Sequence, residues 1–421
     1  MAFEPSNQEI RHLPLQYDST DPEGSARQLV LALRPDWASP DSSVVFVKFT
    51  DGITNTLLKA INEKADLTSD EIDRDAILLR AYGNGTDVII DRQREAQNHE
   101  LLMRHGLAPA LLARFENGML YRFIRGSPTK PEDLRRPDIS AAIARRLAQW
   151  HAIVPCIPET AHNDTAKRRI STVSGKPEPN IWSVMQKWIL ALPTNSGPEL
   201  ERRDKLQGEL VELVANLSQR PGLGHNGLVF SHNDLLSGNV IVLPAADGAK
   251  PTHGQVTFID YEYAVPSPAA FDIANHFAEW GGFDCDMSVI PTVSQRRAFI
   301  GEYIRSYASF RQSSPGSTVE FDIDTEIANL LHEVDVFRGL PGFYWGIWAS
   351  IQAMISTIDF DYASYAETRL SEYWAWKAET NGERAAAGTE RTLREARWAQ
   401  EDEEDNTTAS TSLGTLTSTS T

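Results

Sequence analysis

Residues 230–240 read FSHNDLLSGNV, and residues 256–260 read VTFID. In the first stretch we expect Asp234 to lie on a loop, and the turn formers Ser237 and Gly238 bring Asn239 back toward the same site. The second stretch has the apolar pattern of a buried strand, so the carboxylate of Asp260 should project from the end of that strand. Two loops therefore present an acid, an amide and a second acid in a fixed order.

This order and spacing match the phosphoryl-transfer template of protein kinases. There an Asp accepts the proton of the attacking hydroxyl, an Asn five positions later holds Mg²⁺, and a later Asp holds the metals that bridge the phosphates. We assign these roles to Asp234 as base and to Asn239 and Asp260 as metal ligands. The sequence lacks His-Arg-Asp, Asp-Phe-Gly and Ala-Pro-Glu, and it has no Gly-x-x-x-x-Gly-Lys-[Ser/Thr]. These absences exclude a protein kinase and a P-loop NTPase, and they favour a small alcohol as acceptor.

Five ordered blocks resemble the choline/ethanolamine kinase family. Residues 231–239 resemble its first signature, and residues 258–263 with 271–280 resemble its second. The C-terminal aromatic segment corresponds to residues 343–353, and the blocks at 50–55 and 80–87 resemble the ethanolamine kinase branch in particular. The resemblance extends from about residue 43 to about residue 378.

The resemblance and the residue patterns indicate an α+β, bilobal, protein-kinase-like fold. Strand patterns dominate early, at 44–49, 56–58, 76–80 and 119–124, and helical patterns dominate later, at 91–103, from 140, and at 199–218, 292–310 and 322–357. We predict an N-terminal extension (1–42), a small β-rich nucleotide-binding N-lobe (43–125), a larger, mainly helical C-lobe that is catalytic and amine-binding (126–398), and a disordered, acidic, Ser/Thr-rich tail (399–421).

Composition bounds the partners and the compartment. The 421 residues carry 40 basic and 58 acidic side chains, a formal net charge of −18. This charge opposes binding to nucleic acid or to anionic membranes. Two cysteines provide no disulfide framework, and we see neither a signal peptide nor a membrane-spanning segment. We expect a cytoplasmic protein without membrane insertion, and whether it forms a homodimer stays open.

The N-lobe supplies the expected contacts to ATP. The glycine turn formed by Asp51, Gly52, Thr54 and Asn55 would place backbone N–H groups over the phosphates, although most such turns only join strands. By position in the family, Arg80 would bind phosphate and Glu95 would be its ion-pair partner. An exposed Arg and an exposed Glu are the alternative.

An aromatic group near the C-terminus predicts the amine site. Trp345 and Trp348 share one helix face, and such stripes are usually core packing. The family resemblance favours a pocket for a cationic amine instead, because aromatic faces attract cations. The amine-binding candidates are Trp345, Trp348, Phe360, Tyr362, Tyr365 and the acidic Glu279.

Two further residues are expected to support the catalytic loop. His232 more often props such a loop than transfers protons. In the family, Asp272 braces the loop by accepting its backbone N–H groups.

The resemblance implies an ATP- and Mg²⁺-dependent ethanolamine kinase that makes phosphoethanolamine, the first step toward phosphatidylethanolamine. After Glu279 and Trp280 the chain continues GGFDCD, where choline kinases tend to offer another aromatic residue. A primary ammonium has three N–H donors and favours carboxylates, so this segment leans toward ethanolamine. The alternatives are a choline kinase or a dual choline/ethanolamine kinase, an aminoglycoside-type phosphotransferase, and a catalytically inactive kinase-fold scaffold.

Overall fold

The structure is a computed structural model, and it describes residues 3–6, 9–49, 55–64, 67–83, 85–156, 176–244, 255–313 and 321–401. The predicted phosphate-loop residues Asp51, Gly52 and Thr54, and residues 402–421 of the predicted tail, lie outside these ranges. The chain divides into two compact units. The first unit is Met1–Ser127, Ile241–Ala264 and Met354–Phe360, and the second unit is Pro128–Val240, Val265–Ala353 and Asp361–Thr421.

Eleven strands and thirteen α-helices are assigned within the described residues. The strands are β1 Arg11–Leu13, β2 Ser43–Phe49, β3 Asn55–Glu63, β4 Ile77–Tyr82, β5 Leu111–Phe115, β6 Gly118–Arg122, β7 Ser127–Pro128, β8 Val229–Ser231, β9 Val240–Val242, β10 Val256–Phe258 and β11 Val265–Ser267. The helices are α1 Pro22–Leu33, α2 Ser69–Asp75, α3 Arg92–Arg104, α4 Pro137–Ile153, α5 Ile181–Ala191, α6 Gly197–Leu217, α7 Ala269–Ala278, α8 Val293–Gln312, α9 Ile323–Phe337, α10 Leu340–Ile355, α11 Tyr362–Thr380, α12 Glu383–Ala387 and α13 Leu393–Trp398.

The first unit is built on a six-stranded sheet with the order β1-β5-β6-β4-β3-β2. Its strands pair antiparallel except for the parallel pair β1 and β5. Arg80 lies on β4, with Leu57 of β3 and Met119 of β6 as its register partners. An interior strand holds this arginine in place because it is hydrogen-bonded on both sides.

Residues 1–42 contribute to this unit rather than standing apart from it. β1 pairs with β5, and Leu29, Val30 and Trp37 belong to the hydrophobic core that covers the sheet. Asp21 is the N-cap of helix α1, and its side chain accepts the backbone N–H of Gly24. The apolar positions of α1 recur at helical spacing. The sequence pattern did not indicate β1 or β5, because strands of three and five residues show little periodicity.

The second unit is mainly helical, with α4 packed against α8 and α8 against α9. Trp150, Trp182 and Trp188 are fully buried in it. The short antiparallel pair β8 and β11 places Ser231 opposite Val265, and β8 also contacts α7. The predicted combination of a small β-rich part and a larger helical part is confirmed. The exact lobe boundaries stay a prediction.

The predicted helical run 322–357 is two helices, α9 and α10. The chain turns at Gly339, where a Cβ atom would stand 2.2 Å from the indole of Trp376. Pro341 follows in the first turn of α10, where its missing N–H has no helical partner to lose.

Within the described ranges, none of the helices combines the length and the apolar character that crossing a membrane requires.

We expect the N-terminal helix to stabilise the first unit. Leu29→Ala should lower the free energy of unfolding by about 2–5 kcal/mol, because it leaves a cavity in the core. Gln28→Ala is the matched control, since Gln28 is the exposed neighbour on the same helix, and its effect should stay within about 0.5 kcal/mol. Urea unfolding of the full chain measures both, and equal effects would contradict the packing described for α1.

Candidate active site

The loop that follows β8 is fastened to the buried carboxylate of Asp272. This carboxylate accepts the backbone N–H of His232 at Oδ2 (2.9 Å) and that of Asn233 at Oδ1 (2.8 Å). Asn233 has a φ of 62°, a left-handed conformation in which Asn is common and most residues are not. Two hydrogen bonds from adjacent amides to one carboxylate hold the loop in this turn.

Asp272 is itself held by a histidine of α4. Nε2 of His151 lies 2.9 Å from Oδ2 of Asp272, and Nδ1 of the same ring lies 2.8 Å from the hydroxyl of Tyr303. Burial alone would raise the pKa of Asp272, but the hydrogen bonds from His151 and from the His232 amide outweigh it, and the pKa is lowered. The carboxylate therefore stays ionised and accepts every one of these bonds.

Two more residues of α7 bind carbonyl groups of the same loop. Asn275 donates to the carbonyl of Asn233 (2.9 Å), and Nδ1 of His276 lies 2.9 Å from the carbonyl of Leu235. Burial lowers the pKa of His276 to about 4, so its ring is neutral and its Nδ1–H donates to the carbonyl. Helix α7 thus grips the loop at positions i, i+3 and i+4 of one face.

Asp234 lies on this loop with its carboxylate turned toward Asn239. The Nδ2 group of Asn239 donates to the backbone carbonyl of Asp234 (2.8 Å) and to its Oδ2 (3.1 Å). Nδ1 of His232 accepts the backbone N–H of Asp234 at 3.3 Å, so His232 contacts the loop backbone. Asp234 as a whole residue is 7% exposed, and these neighbours orient its carboxylate.

In the first unit a buried ion-pair network surrounds Arg80. Nε of Arg80 lies 3.0 Å from Oε1 of Glu95, and Nη2 donates to Oδ1 of Asp260 at 2.8 Å and to Oε2 of Glu262. The Arg80 side chain is 5% exposed and the Glu95 side chain 4%. The alternative of an exposed Arg and an exposed Glu is therefore wrong, because the two side chains meet in the interior.

A second arginine and an asparagine complete this network. Arg92 binds Glu95 at 2.9 Å and Glu262 at 3.3 Å, and Nδ2 of Asn55 donates to Glu262 at 3.1 Å. Burial, and next the nearby charge of Asp260, raise the pKa of Glu262 to about 7, although Arg80 opposes this rise. Three carboxylates thus stand against two guanidinium groups.

The candidate metal ligands fit Mg²⁺ by their chemistry. Asp260 lies two residues after β10 with a φ of 66°. Its side chain is 26% exposed, so one carboxylate oxygen can bind a ligand while Arg80 binds the other. The NH₂ group of Asn239 donates its hydrogen bonds to Asp234, so the amide oxygen of Asn239 can bind a cation. In the described ranges there is no cluster of three or more His, Cys, Asp or Glu side chains that could hold a metal ion by itself. Mg²⁺ needs none, because it binds through one or two protein oxygens plus phosphate and water.

Part of the predicted amine-binding group is assembled around α10. The rings of Trp345 and Trp348 meet edge to face at 5.5 Å, and Trp348 meets Tyr362 in the same way at 5.8 Å. Nε1 of Trp345 donates to Oδ1 of Asn275 at 2.8 Å, which links these rings to the helix that holds the loop carrying Asp234. Phe360 belongs to the first unit and is 40% exposed.

The predicted acidic contact, Glu279, follows directly after α7 and is buried. Its Oε1 lies 3.2 Å from Nη2 of Arg369, a side chain with no exposed surface. The guanidinium group of Arg369 also lies 5.8 Å from the ring centre of Tyr365. Tyr365 thus stands beside the Glu279 ion pair.

Several residues of these arrangements were not predicted from the sequence. They are His151, Asn275, His276, Arg92 and Arg369. Asn275 and His276 could have been found, because they lie three and four positions after Asp272 on a helical face. His151 and Arg369 have no such local signal.

Comparison with known proteins identifies the family to which the chain is similar. The family described as choline/ethanolamine kinase matches residues 46–374. Ethanolamine kinase 1 of Mus musculus is 35% identical over 364 residues, which are 84% of this chain and 89% of that protein. Ethanolamine kinase 1 of Homo sapiens is 33% identical over 84% of this chain and 72% of its own length.

Solved structures agree. The ethanolamine kinase of Plasmodium vivax superimposes with a TM-score of 0.63 and 25% identity, covering 85% of this chain and 89% of that one. The choline kinase of Cryptosporidium parvum, at 20% identity, shares the fold with a TM-score of 0.59 over 85% of this chain and 97% of its own. The fold is the protein-kinase-like fold predicted above. The chain therefore belongs to the choline/ethanolamine kinase family.

Proposed function

We propose that this protein is an ethanolamine kinase that transfers the γ-phosphoryl group of ATP to the hydroxyl of ethanolamine. The observation that carries the proposal is the Asp234 carboxylate, oriented by Asn239 on a loop that Asp272 holds by two amides. The likeness to ethanolamine kinases over more than four fifths of the chain supports this choice of acceptor. The product is phosphoethanolamine, the first intermediate toward phosphatidylethanolamine.

In the proposed reaction Asp234 accepts the proton of the ethanolamine hydroxyl. The hydroxyl oxygen then forms a bond to the γ-phosphorus while the bond from that phosphorus to the β–γ bridging oxygen breaks, and ADP leaves with the bond electrons. Positioning and charge, rather than covalent chemistry, are the protein's share of this step. The hydrogen bond from Asn239 fixes the direction in which Asp234 takes the proton.

The nucleotide would bind with Mg²⁺ on Asn239 and Asp260. When bound, Mg²⁺ would neutralise negative charge on the phosphates. The charges in the first unit support this proposal, because a polyphosphate brought near three carboxylates needs added positive charge. Arg80, which Glu95 orients, fixes the Asp260 carboxylate at 2.8 Å. Asp51, Gly52, Thr54 and Asn55 are proposed to cover the phosphates.

The amine end of the substrate is assigned to the aromatic residues and to Glu279. Trp345, Trp348 and Tyr365 would face the ammonium group, with Tyr362 beside them, since aromatic faces attract cations. Glu279 would accept a hydrogen bond from the primary ammonium, which choline cannot donate. Choline or dual specificity is the alternative. We place the reaction in the cytoplasm and leave the oligomeric state open.

The first prediction concerns the base. Asp234→Asn should lower kcat by about 10²–10⁴-fold, because the amide cannot accept the proton. Thermal stabilisation by ATP and Mg²⁺ should persist, since the substitution keeps the side chain's shape. Asp324→Asn, the same change at an exposed position of α9, is the matched control and should leave kcat unchanged. Near-normal turnover by Asp234→Asn would refute the assignment of the base.

The second prediction concerns the metal. Asp260→Ala should abolish turnover across a Mg²⁺ titration, because the phosphate charge loses its carboxylate-held cation. Asn239→Ala should reduce turnover less, since a neutral amide contributes less charge. Asp41→Ala, at an exposed position of the first unit, is the control. A wild-type Mg²⁺ titration curve for Asp260→Ala would show that Asp260 is not a ligand.

The third prediction separates the two amines. Wild-type kcat/KM should be higher for ethanolamine than for choline. Trp348→Ala should cost about 1–2 kcal/mol of amine binding and weaken choline more. Glu279→Gln should weaken ethanolamine more, and neither change should alter KM for ATP. If both substitutions move the ethanolamine-to-choline ratio in one direction, the proposed division of labour is wrong. ATP-dependent stabilisation with no turnover of either amine would favour the inactive scaffold.

A further inference from the structure

Six buried side chains of alternating charge, beginning with Glu279, include two residues of the C-terminal helix α13. We call this set the charge row, and its members in order are Glu279, Arg369, Glu372, Arg394, Glu395 and Arg338. The pairs are separated by 3.2 Å for Glu279–Arg369, 3.9 Å for Arg369–Glu372, 3.9 Å for Glu372–Arg394, 3.0 Å for Arg394–Glu395 and 2.8 Å for Glu395–Arg338. Every side chain in the row is 11% exposed or less.

The charge row changes the pKa of the Glu279 carboxylate. Removing a carboxylate from water favours its neutral form, and burial does raise the pKa of Glu279, with Arg369 opposing the rise and Glu372 adding to it. Tyr365 and Cys285 also face this carboxylate. Arg369 is thus the cation that favours the ionised form of Glu279.

Arg369 also decides which oxygen of Glu279 is engaged. It donates to Oε1, and Oε2 receives no hydrogen bond from any residue in the described ranges. Nε of Arg369 and Nε of Arg394 each lie 3.9 Å from the same oxygen of Glu372, Oε2. The carboxylate of Glu372 thus links Arg369 to Arg394 of α13.

We propose that Arg369 is a positioning residue that keeps Glu279 ionised with Oε2 turned to the substrate, and that Arg394 of α13 holds Arg369 in that place. This inference rests on the proposed function and extends it. A primary ammonium gains a hydrogen bond to Oε2, whereas a trimethylammonium group gains none. Through the charge row, Arg394 therefore contributes to the preference for ethanolamine over choline. Arg394 lies on α13, which follows all the family signatures in the sequence.

The test compares full-length variants by steady-state kinetics with ethanolamine across pH. Without Arg369, Glu279 releases its proton at higher pH, so ethanolamine binding is lost at low pH and recovers as the pH rises. In Arg369→Met the acid limb of kcat/KM should therefore move up by about 1–3 pH units. Arg369→Lys should restore part of the shift, and Arg394→Met should show a smaller shift in the same direction. KM for ATP should not change.

A double substitution shows whether Arg369 acts through Glu279. Adding Arg369→Met to Glu279→Gln should raise KM for ethanolamine no further than Glu279→Gln alone, because coupled residues are not additive. Arg220→Met is the matched control. It removes an arginine that binds the buried Glu333 at 2.6 Å, and it should lower Tm without moving the acid limb.

The outcomes are distinct from failure of the proposed function, which wild-type protein without ethanolamine turnover would reveal. An unmoved acid limb in folded Arg369→Met, or effects that add to those of Glu279→Gln, overturns the inference. If circular dichroism shows that Arg369→Met does not fold, Arg369→Lys and Arg394→Met decide in its place. Unshifted profiles for both of these variants equally overturn the inference.

Discussion

The second unit depends on one buried charge, the carboxylate of Asp272. Without it, two adjacent backbone N–H groups of the loop that carries Asp234 would be buried with no acceptor, and each would cost about 1–3 kcal/mol. With it, the left-handed turn at Asn233 is held on both sides, and Asp234 projects in one direction only. His151 then keeps the carboxylate ionised in an interior that would otherwise protonate it.

Helix α7 carries this constraint to the rest of the proposed site. Asp272, Asn275 and His276 bind the loop from one helical face, and Asn275 also accepts the indole N–H of Trp345. Glu279 follows as the C-terminal cap residue of the same helix. The residues that bind the loop, the partner of Trp345 and Glu279 thus lie between positions 272 and 279 of one helix and its cap, and the rise per residue of such a helix is about 1.5 Å.

Local patterns predicted much of this arrangement. The spacing of Asp234 and Asn239 indicated a loop that returns on itself, and the structure joins the two side chains by a hydrogen bond. The helical spacing of Trp345 and Trp348 predicted rings on one face, and the two rings are in contact. Arg80 and Glu95 were paired by position in the family, and the structure buries them together. The catalytic and binding roles of these residues stay proposals.

Contacts between residues that are distant in sequence were not predictable in this way. A charged arginine side chain is costly to bury. The burial of Arg369 is explained by its ion pairs with the carboxylates of Glu279 and Glu372. His151 reaches Asp272 across 121 residues of chain, and no periodicity in α4 distinguishes it from a core residue. The sequence predicted β1 and α1 to be part of an N-terminal extension, because their apolar faces are short. In the structure they pack on the sheet.

The central claim is that Asp272 fixes the loop on which Asp234 acts, and Asp272→Asn tests it directly. An amide keeps the shape but cannot accept all the N–H groups that point at the carboxylate. Hydrogen exchange at the amides of His232 and Asn233 should accelerate while circular dichroism stays native, and kcat with ethanolamine should fall by about 10²-fold through lost positioning. Faster exchange at these two amides with wild-type kcat would contradict the account.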